Sequence, residues 1–289
     1  MDSKVLLTSF SDDKSLLKRI GLISHVALDM DGTIYKGDTL FPFTKDFLRL
    51  LRSNGISYSF LTNNPSRSTD DYLKHLKEMG LTATKNEIYT TAQATIEYII
   101  SNHPHVKRLF ILGTPSMIGE FENAGFFSLP DDPYAEPDAV VVGFDKTLTY
   151  NRLSRAAWWI NNKKPYFATN PDYVCPTDQP VTLVDCGSIC AALEKATNRK
   201  PDVVLGKPNP EMLDGILKSN GLKPEEIVMV GDRIYTDMML AHRANVLGVL
   251  VLSGEATLED VEKADPKPDI VVSDLEAFGE LINESHNII

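Results

Sequence analysis

Short apolar runs, most of them rich in β-branched residues, alternate along this 289-residue chain with segments of helical periodicity. The clearest runs lie at residues 26–28, 57–61, 203–205, 227–230, 249–252 and 270–272. Such alternation is typical of parallel strands joined by crossover helices. It predicts an α/β fold in which helices cover both faces of a doubly wound parallel sheet.

The middle of the chain has strand-like runs of its own, at residues 109–112, 139–142 and 166–169. The segment around them is long enough to form a small domain. We therefore predict a core domain made of residues 1–103 and 202–289, with a smaller α/β domain of residues 104–201 inserted into it. Residues 1–20 are expected to form a short helix outside the sheet, and we assign them no function.

The balance of charge excludes two classes of partner. The chain has 29 Lys and Arg against 40 Asp and Glu, for a formal net charge of −11. Nucleic-acid and anionic-membrane binders need a dense positive field, so we expect neither partner. We see no export signal and no apolar stretch of the roughly 20 residues that a membrane span needs. Three cysteines without paired spacing suit a reducing compartment, and we expect a cytoplasmic protein.

Acidic residues follow two of the predicted strands directly. Asp29 and Asp31 leave the first strand together, and Gly32 allows a tight turn after them. One carboxylate can attack phosphorus while a second, protonated one donates to a leaving alkoxide. Asp232 and Asp237 bracket a later turn from strand to helix. Both segments also have an ordinary interpretation, as an Asx-rich turn and as a helix cap with a surface ion pair.

Two further segments carry groups that can hold an anion at the end of a strand. Thr62, Asn63 and Asn64 end the second strand and offer a hydroxyl group, side-chain amides and backbone amides. Lys207 stands between Gly206 and Pro208 after a later strand. Taken singly, the first segment reads as a turn before a helix and the second as a solvated surface lysine.

The combination of the four segments favours a shared site. The carboxyl ends of parallel strands meet at one edge of a sheet, where open α/β folds bind ligands. Four carboxylates drawn together repel one another unless a cation joins them. Oxygen ligands select a hard ion such as Mg²⁺, which together with Lys207 would offset the charge of an incoming phosphate.

In this order the four segments resemble motifs I to IV of the haloacid dehalogenase superfamily of phosphohydrolases. The variants present here are similar to those of the p-nitrophenylphosphatase and pyridoxal phosphatase branch, whose core is a Rossmann-like sheet. That branch has a large α/β cap between motifs II and III, where we place the inserted domain. The resemblance extends from about residue 24 to the end of the chain.

The resemblance implies a role for each matching residue. Asp29 would be the nucleophile and a Mg²⁺ ligand, and Asp31 the general acid and base, with its backbone carbonyl on the metal. Asp232 would ligate Mg²⁺, and Asp237 would support the metal or its waters without ligating it. The residues that would bind the transferring phosphoryl group are Thr62, Asn63, Asn64 and Lys207.

The cap would read the leaving group of the substrate. Its segment Asn170-Pro171-Asp172 resembles the cap loop that faces the substrate in this family. Cys175 falls near the position of a substrate-contacting histidine in pyridoxal phosphatases, and Val184-Asp185-Cys186 replaces a run usually made of proline, glycine and small residues. These departures argue against pyridoxal phosphate as the substrate. Caps of this type often pair two subunits, so the resemblance also suggests a homodimer formed through the cap.

The predicted activity is Mg²⁺-dependent hydrolysis of a small phosphorylated metabolite through an aspartyl-phosphate. Sugar phosphates, nucleoside monophosphates and similar phosphomonoesters are all compatible with the sequence. Two alternatives remain open at this level. One is a phosphomutase that returns the phosphoryl group to a bound sugar, and the other is a protein that binds a phosphometabolite without catalysis.

Overall fold

The computed structural model describes residues 5–175 and 181–286 of the chain. The strands of this described part are β1 (Val5–Thr8), β2 (His25–Asp29), β3 (Tyr35–Lys36), β4 (Thr39–Leu40), β5 (Ser57–Thr62), β6 (Ile88–Thr90), β7 (Arg108–Leu112), β8 (Phe127–Ser128), β9 (Ala139–Val142), β10 (Tyr166–Ala168), β11 (Val174–Cys175), β12 (Leu183–Val184), β13 (Val203–Val204), β14 (Ile227–Gly231), β15 (Leu247–Val251) and β16 (Ile270–Val272).

The helices that alternate with these strands are mostly two to three turns long. They are α1 (Asp13–Ile20), α2 (Thr44–Ser53), α3 (Thr69–Glu78), α4 (Thr91–Asn102), α5 (Pro115–Asn123), α6 (Tyr150–Asn161), α7 (Cys186–Thr197), α8 (Glu211–Asn220), α9 (Met239–Ala244), α10 (Leu258–Lys263) and α11 (Leu275–His286). A π-helical turn, Ile234–Met238, leads directly into α9.

Two compact units divide the chain. Unit 1 contains residues 1–61, 75–88 and 207–289, and unit 2 contains residues 62–74 and 89–206. In unit 1, a seven-stranded sheet has the order β1-β16-β15-β14-β2-β5-β6. The pairings from β16 to β5 are parallel, and β1 runs antiparallel to β16. Every residue of β2, β14 and β15 is buried, as expected of strands covered on both faces.

Unit 2 has a second parallel sheet, with the order β13-β10-β9-β7-β8. Alternate residues of its strands face two separate cores, as the two-residue period of a strand requires. On one face, Val140 and Tyr166 pack with residues of α6 and α7. On the other, Val141 and Phe167 pack with residues of α4 and α5. Helices therefore cover both faces of this sheet, and the predicted α/β architecture is confirmed for both units.

Three sequence-based assignments need correction. The segment 203–205 was assigned to the core sheet, but β13 pairs with β10 in the second sheet. Residues 89–103 were assigned to the core domain, but they lie in unit 2, because Ile96 and Ile99 of α4 pack into its apolar core. The N-terminal segment was expected to form only a helix. It also forms β1, which extends the edge of the seven-stranded sheet beside β16.

Residues 62–74 also belong to unit 2. Polar contacts with α5 and its cap explain this assignment. Thr114 donates its hydroxyl to Ser66 O at 2.9 Å, and the backbone amide of Thr69 donates to Glu120 Oε1 at 2.9 Å. That residues 104–201 act as a cap that determines specificity stays a prediction.

Within the two described stretches of the chain, no helix combines the length and the apolar character that a membrane crossing requires.

Candidate active site

The ends of two neighbouring strands place the first pair of carboxylates. β2 and β14 are adjacent and parallel, with Leu28 beside Val230 in the register. Asp29 is the last residue of β2, and Asp232 follows immediately after β14. Both side chains are buried. The predicted convergence of these two residues at one edge of the sheet is therefore confirmed.

The turn after β2 requires a glycine. Gly32 has a φ of +89°, which favours glycine over every residue with a side chain. A Cβ atom at this position would lie 2.2 Å from Asp232 Oδ2. Gly32 thus allows the turn to pass directly against the Asp232 carboxylate.

The π-helical turn after β14 carries Asp237 into the same place. Asp237 is fully buried, and its Oδ2 accepts a hydrogen bond from the backbone amide of Arg233 at 3.1 Å. Its Oδ1 lies 2.7 Å from Lys207 Nζ. Asp237 was predicted to support a metal without ligating it, and this ion pair with Lys207 is compatible with that role.

Lys207 is buried between two carboxylates, not solvated. Its Nζ contacts Asp29 Oδ1 directly, in addition to Asp237. Burial by itself would lower the pKa of Lys207, but the attraction of Asp237 and Asp29 outweighs that effect and raises the pKa. The lysine therefore carries a positive charge at neutral pH, directly beside the Asp29 carboxylate.

Asp29, Asp232 and Asp237 form a compact acidic cluster, in which one oxygen atom of each lies within 4.8 Å of the others. Burial, reinforced by repulsion from Asp29 and Asp237, raises the pKa of Asp232 to about 7. Burial also raises the pKa of Asp237 to about 6, although Lys207 opposes the shift. With all three carboxylates ionised, the single ammonium group of Lys207 would leave an excess of negative charge, which a divalent cation would balance.

The two oxygen atoms of the Asp232 carboxylate differ in their surroundings. Asp232 Oδ2 accepts the backbone amide of Glu255 at 2.7 Å, whereas Asp232 Oδ1 is buried with no hydrogen-bond partner among the described residues. A buried carboxylate oxygen ordinarily has a partner. Because all the donors are carboxylate oxygens, the cluster fits a hard cation such as Mg²⁺.

Asp31 has a different environment from the cluster. It is exposed, and its Oδ1 accepts a hydrogen bond from the backbone amide of Gly37 at 3.1 Å. Its carboxylate is not one of the three in the acidic cluster. This carboxylate is close to Asp29 in the chain and is accessible for proton transfer. Its role as general acid and base stays a prediction.

A loop that the sequence analysis overlooked completes the surroundings of Asp232. Residues 253–255 follow β15, and Ser253 donates its hydroxyl to Gly32 O at 2.8 Å. The backbone amide of Glu255 donates to Asp232, as described above. The signal for this loop was present, because Ser253-Gly254-Glu255 is also a polar segment directly after an apolar strand.

The predicted phosphate-binding residues 62–64 lie in unit 2 and form a tight turn. The Thr62 hydroxyl accepts the backbone amide of Asn64 at 3.2 Å, and Asn64 Oδ1 accepts the backbone amide of Ser66 at 2.9 Å. These hydrogen bonds agree with the ordinary interpretation of this segment as a turn before a helix, since α3 begins at Thr69. Asn63 instead reaches the predicted substrate loop, where its Nδ2 donates to Asp172 Oδ2 at 2.9 Å.

The predicted substrate loop brings together residues of unit 2 that are far apart in the sequence. Asn170 Nδ2 donates to Asp172 Oδ2 at 3.2 Å and to Asp185 Oδ1 at 3.1 Å. Cys175 Sγ lies 4.0 Å from Asn64 Nδ2. The involvement of Asp185 was missed. Its only sequence signal was an acidic residue immediately before a helix, which usually marks a helix cap.

Two family models match the chain. The model described as haloacid dehalogenase-like hydrolase matches residues 26–127, and a second, described as HAD-hydrolase-like, matches residues 204–278. Together they contain Asp29, Lys207 and Asp232.

Similar proteins of known description are phosphatases. The chain is 30% identical to the ribonucleotide monophosphatase NagD of Escherichia coli over 246 residues, which cover 85% of this chain and 94% of that protein. The crystal structure of a 4-nitrophenylphosphatase from Thermotoga maritima superposes with a TM-score of 0.85 at 40% identity, covering 91% and 98% of the two chains. A glycerol phosphate phosphatase from Mycobacterium tuberculosis, solved in complex with magnesium, superposes with a TM-score of 0.82 at 30% identity, covering 90% and 78%.

Proposed function

This chain belongs to the haloacid dehalogenase-like hydrolase family and is a phosphoric monoester hydrolase acting on small phosphate substrates; we propose that it works through an aspartyl-phosphate formed on Asp29. The observation that carries this proposal is the contact of Lys207 Nζ with Asp29 Oδ1, inside a cluster of buried carboxylates. The lysine neutralises part of the charge that would otherwise keep a phosphate away from the nucleophile.

In the first step, a carboxylate oxygen of Asp29 attacks the phosphorus atom of the substrate. A bond forms between this oxygen and phosphorus while the bond from phosphorus to the ester oxygen breaks. The leaving alkoxide takes a proton from Asp31, which enters the step in its protonated form. The products of this step are the free alcohol, the aspartyl-phosphate on Asp29 and the ionised carboxylate of Asp31.

In the second step, a water molecule attacks the phosphorus atom of the aspartyl-phosphate. Asp31 accepts a proton from this water, so the residue returns to its starting state. The bond between phosphorus and Asp29 breaks, which releases inorganic phosphate and regenerates the nucleophile. A phosphomutase would instead deliver the phosphoryl group to a sugar hydroxyl.

We propose Mg²⁺ as the cofactor, held by Asp29 and Asp232, with Asp237 and Lys207 holding the cluster together. The fit rests on the buried Oδ1 of Asp232 and on the all-oxygen donor set. A bound Mg²⁺ would polarise the phosphoryl oxygens and stabilise the charge that develops on them. Lys207 supplies a second positive charge, and Asn63 an amide donor, for the transferring phosphoryl group.

The substrate class that we propose is a small phosphorylated metabolite, such as a sugar phosphate or a nucleoside monophosphate. The relatives described above act on a nucleotide, on 4-nitrophenyl phosphate and on glycerol phosphate. This range supports a shared phosphate site and a variable site for the leaving group. We assign the reading of the leaving group to unit 2, in particular to the loop that contains Asn170 and Asp172.

The direct test measures phosphate release from a panel of phosphomonoesters with added Mg²⁺. Wild-type protein should release inorganic phosphate, and the substitution Asp29→Asn should lower kcat by at least about 1,000-fold, because no nucleophile remains. Chelation with EDTA should abolish turnover, and added Mg²⁺ should restore it.

A chemical readout separates the covalent mechanism from direct attack by water. Wild-type protein quenched in acid during turnover should contain a phosphorylated peptide that includes Asp29, and the Asp29→Asn variant should not. Retention of turnover by Asp29→Asn, or its persistence under chelation, would contradict the mechanism.

A further inference from the structure

A buried carboxylate stands at the start of α7, away from the acidic cluster of unit 1. Asp185 is 3% exposed, and its Oδ1 accepts hydrogen bonds from the backbone amide of Cys186 and from Asn170 Nδ2, the latter at 3.1 Å. Burial raises the pKa of Asp185 to about 6, although these hydrogen bonds oppose the shift. Burying an acidic side chain is costly unless hydrogen bonds or an opposite charge compensate for the loss of water.

Capping α7 does not by itself explain why Asp185 also contacts Asn170. Thr90, Thr114 and Thr149 cap α4, α5 and α6 in the same unit, each through its hydroxyl group. A hydroxyl satisfies the first turn of a helix well. The carboxylate of Asp185 extends one bond further, and the additional reach brings it to the side chain of Asn170.

The first turn of α7 also holds the backbone of the substrate loop. The amide of Gly187 donates to Asp172 O at 2.8 Å, and the hydroxyl of Ser188 donates to Tyr173 O at 2.6 Å. A Cβ atom at Gly187 would lie 2.3 Å from Pro171 O, so the loop lies directly against the helix. The backbone of the loop is therefore fixed on one side by α7.

The other side of the loop meets the predicted phosphate-binding turn. Asp172 Oδ2 accepts hydrogen bonds from both Asn63 Nδ2 and Asn170 Nδ2. The hydrogen bonds thus form a chain from Asp185 to Asn170, then to Asp172, and finally to Asn63. Because Asn170 is fully buried, it has little freedom to adopt another rotamer without losing these bonds.

We propose that Asp185 is a positioning residue, which acts through Asn170 and Asp172 to hold the Asn63 amide in one orientation for phosphate binding. The inference rests on the proposed function, since it assigns Asn63 to phosphate binding. Asp185 itself touches neither the substrate nor the reacting atoms. Its effect is to keep the side chain of Asn63 in one orientation before the substrate binds, which lowers the entropic cost of binding.

The main test compares Asp185→Ser with Thr149→Ala. Serine at 185 can still cap α7 but is too short to reach Asn170, whereas Thr149→Ala removes the cap of α6 in the same unit without touching the substrate loop. With 4-nitrophenyl phosphate and Mg²⁺, Asp185→Ser should raise KM about tenfold and change kcat by less than about threefold. Thr149→Ala should leave both constants unchanged.

Two more variants distinguish positioning from a general structural role. Asp185→Asn keeps an oxygen that can accept from Asn170, so the KM of this variant should lie within about twofold of the wild-type value. In a protein that already carries Asp172→Ala, adding Asp185→Ser should change KM no further, because the connection to Asn63 is already broken. Additive effects of the two substitutions, or an unchanged KM in Asp185→Ser, would overturn the proposal.

Hydrogen–deuterium exchange tests the same connection without any enzymatic assay. Peptides covering residues 62–66 and 168–175 should exchange faster in Asp185→Ser than in Thr149→Ala, and exchange at the wild-type rate in both would refute the inference. If wild-type protein hydrolyses no phosphomonoester, the proposed function fails, but this exchange result still decides whether Asp185 holds the loop. If Asp29→Asn abolishes turnover and Asp185→Ser has wild-type constants and exchange, only the positioning role is lost.

Discussion

At the scale of single residues, Lys207 decides whether the acidic cluster is stable. Its ammonium group lies between Asp29 and Asp237, and all three side chains are buried. Removing one partner of a buried ion pair leaves the other charge without compensation, which costs more than the pair contributes. The cluster therefore depends on this one cation, and on a metal ion once one is bound.

We expect Lys207→Met to lower the free energy of unfolding by about 3–5 kcal/mol in the presence of EDTA. Activity should fall by at least about 100-fold, because the phosphoryl group loses a positive contact. Urea denaturation and phosphate release would measure the two effects. Lys263→Met is the matched control, since Lys263 forms an exposed ion pair with Glu259 and should change stability by less than about 0.5 kcal/mol.

The double variant Lys207→Met with Asp237→Asn refines this prediction. Removing the facing charge of Asp237 as well should recover part of the lost stability, because Asp29 is then the one buried carboxylate of this pair that still faces the apolar side chain. A double variant that is as unstable as the sum of the two single variants would mean that the ion pair is not the source of the stability.

Gly32 offers a second prediction at this scale. Gly32→Ala adds a Cβ atom 2.2 Å from Asp232 Oδ2 at a positive φ, so Asp232 must move. We expect a loss of about 100-fold in kcat/KM, the cost of displacing a group at a reaction centre. Gly55→Ala is the control, because Gly55 also has a positive φ but a Cβ atom there would meet no atom within 4 Å. It should cost about 1 kcal/mol of stability and leave kcat/KM intact.

At the scale of elements, the two ends of β2 carry residues with different roles. Asp29 ends the strand at the site, whereas His25 begins it, between the hydroxyl groups of Ser57 and Ser59 on β5. Burial lowers the pKa of His25 to about 4, so the ring is neutral in the folded protein at pH 7. The strand pairing is therefore sensitive to acid at the end opposite to the site.

This burial predicts a pH dependence of stability. Between pH 6.5 and about 4 the unfolded chain binds a proton at His25 and the folded chain does not. Stability contributed by the neutral ring is present above pH 6.5 and is lost as the pH falls toward 4. The full loss is about 3 kcal/mol, from 1.36 kcal/mol for each pKa unit.

The measurement is urea denaturation of wild-type and His25→Gln protein at a series of pH values from 7 to 4.5. The difference between the two curves isolates His25 from the buried carboxylates, whose raised pKa values act in the opposite direction. His105→Gln, at an exposed position, should follow the wild-type curve. A wild-type curve parallel to that of His25→Gln would show that the ring does not titrate as described.

At the scale of the whole molecule, each unit has its own parallel sheet covered by helices. The acidic cluster draws its residues from segments that are some 200 positions apart in the sequence, and it forms only in the folded unit 1. An ion that binds this cluster binds the folded chain and not the unfolded one. Above its Kd, such an ion raises the free energy of unfolding with the logarithm of its free concentration.

We accordingly expect Mg²⁺ to raise the free energy of unfolding by about 2.7 kcal/mol at a concentration of 100 times its Kd. Asp232→Asn should remove most of this gain, because it removes a charged ligand. Thermal or urea unfolding with Mg²⁺ and with EDTA would measure the effect, with Asp260→Asn, an exposed carboxylate of α10, as the control. An equal gain in Asp232→Asn and wild-type protein would place the ion elsewhere.

Local chemistry explains how much of the fold and site could be predicted. Apolar runs and helical spacing identified the strands that precede or contain Asp29 and Asp232, because the periods of strands and helices depend on residues that are close together in the sequence. Since parallel strands end at one edge of a sheet, the approach of these two carboxylates followed from their positions after β2 and β14. The homodimer predicted through residues 104–201 and the cytoplasmic location stay predictions.

The sequence by itself determined the α/β class, the order along the chain of the strands that the candidate site residues follow, and the types of these residues. Only the tertiary structure decided that β13 joins the second sheet, that Lys207 is enclosed by Asp29 and Asp237, and that Asp185 reaches Asn170. The physical reason is the same in each case. A two-residue strand, a lysine and an acidic cap are compatible with many partners, and long-range packing selects one of them.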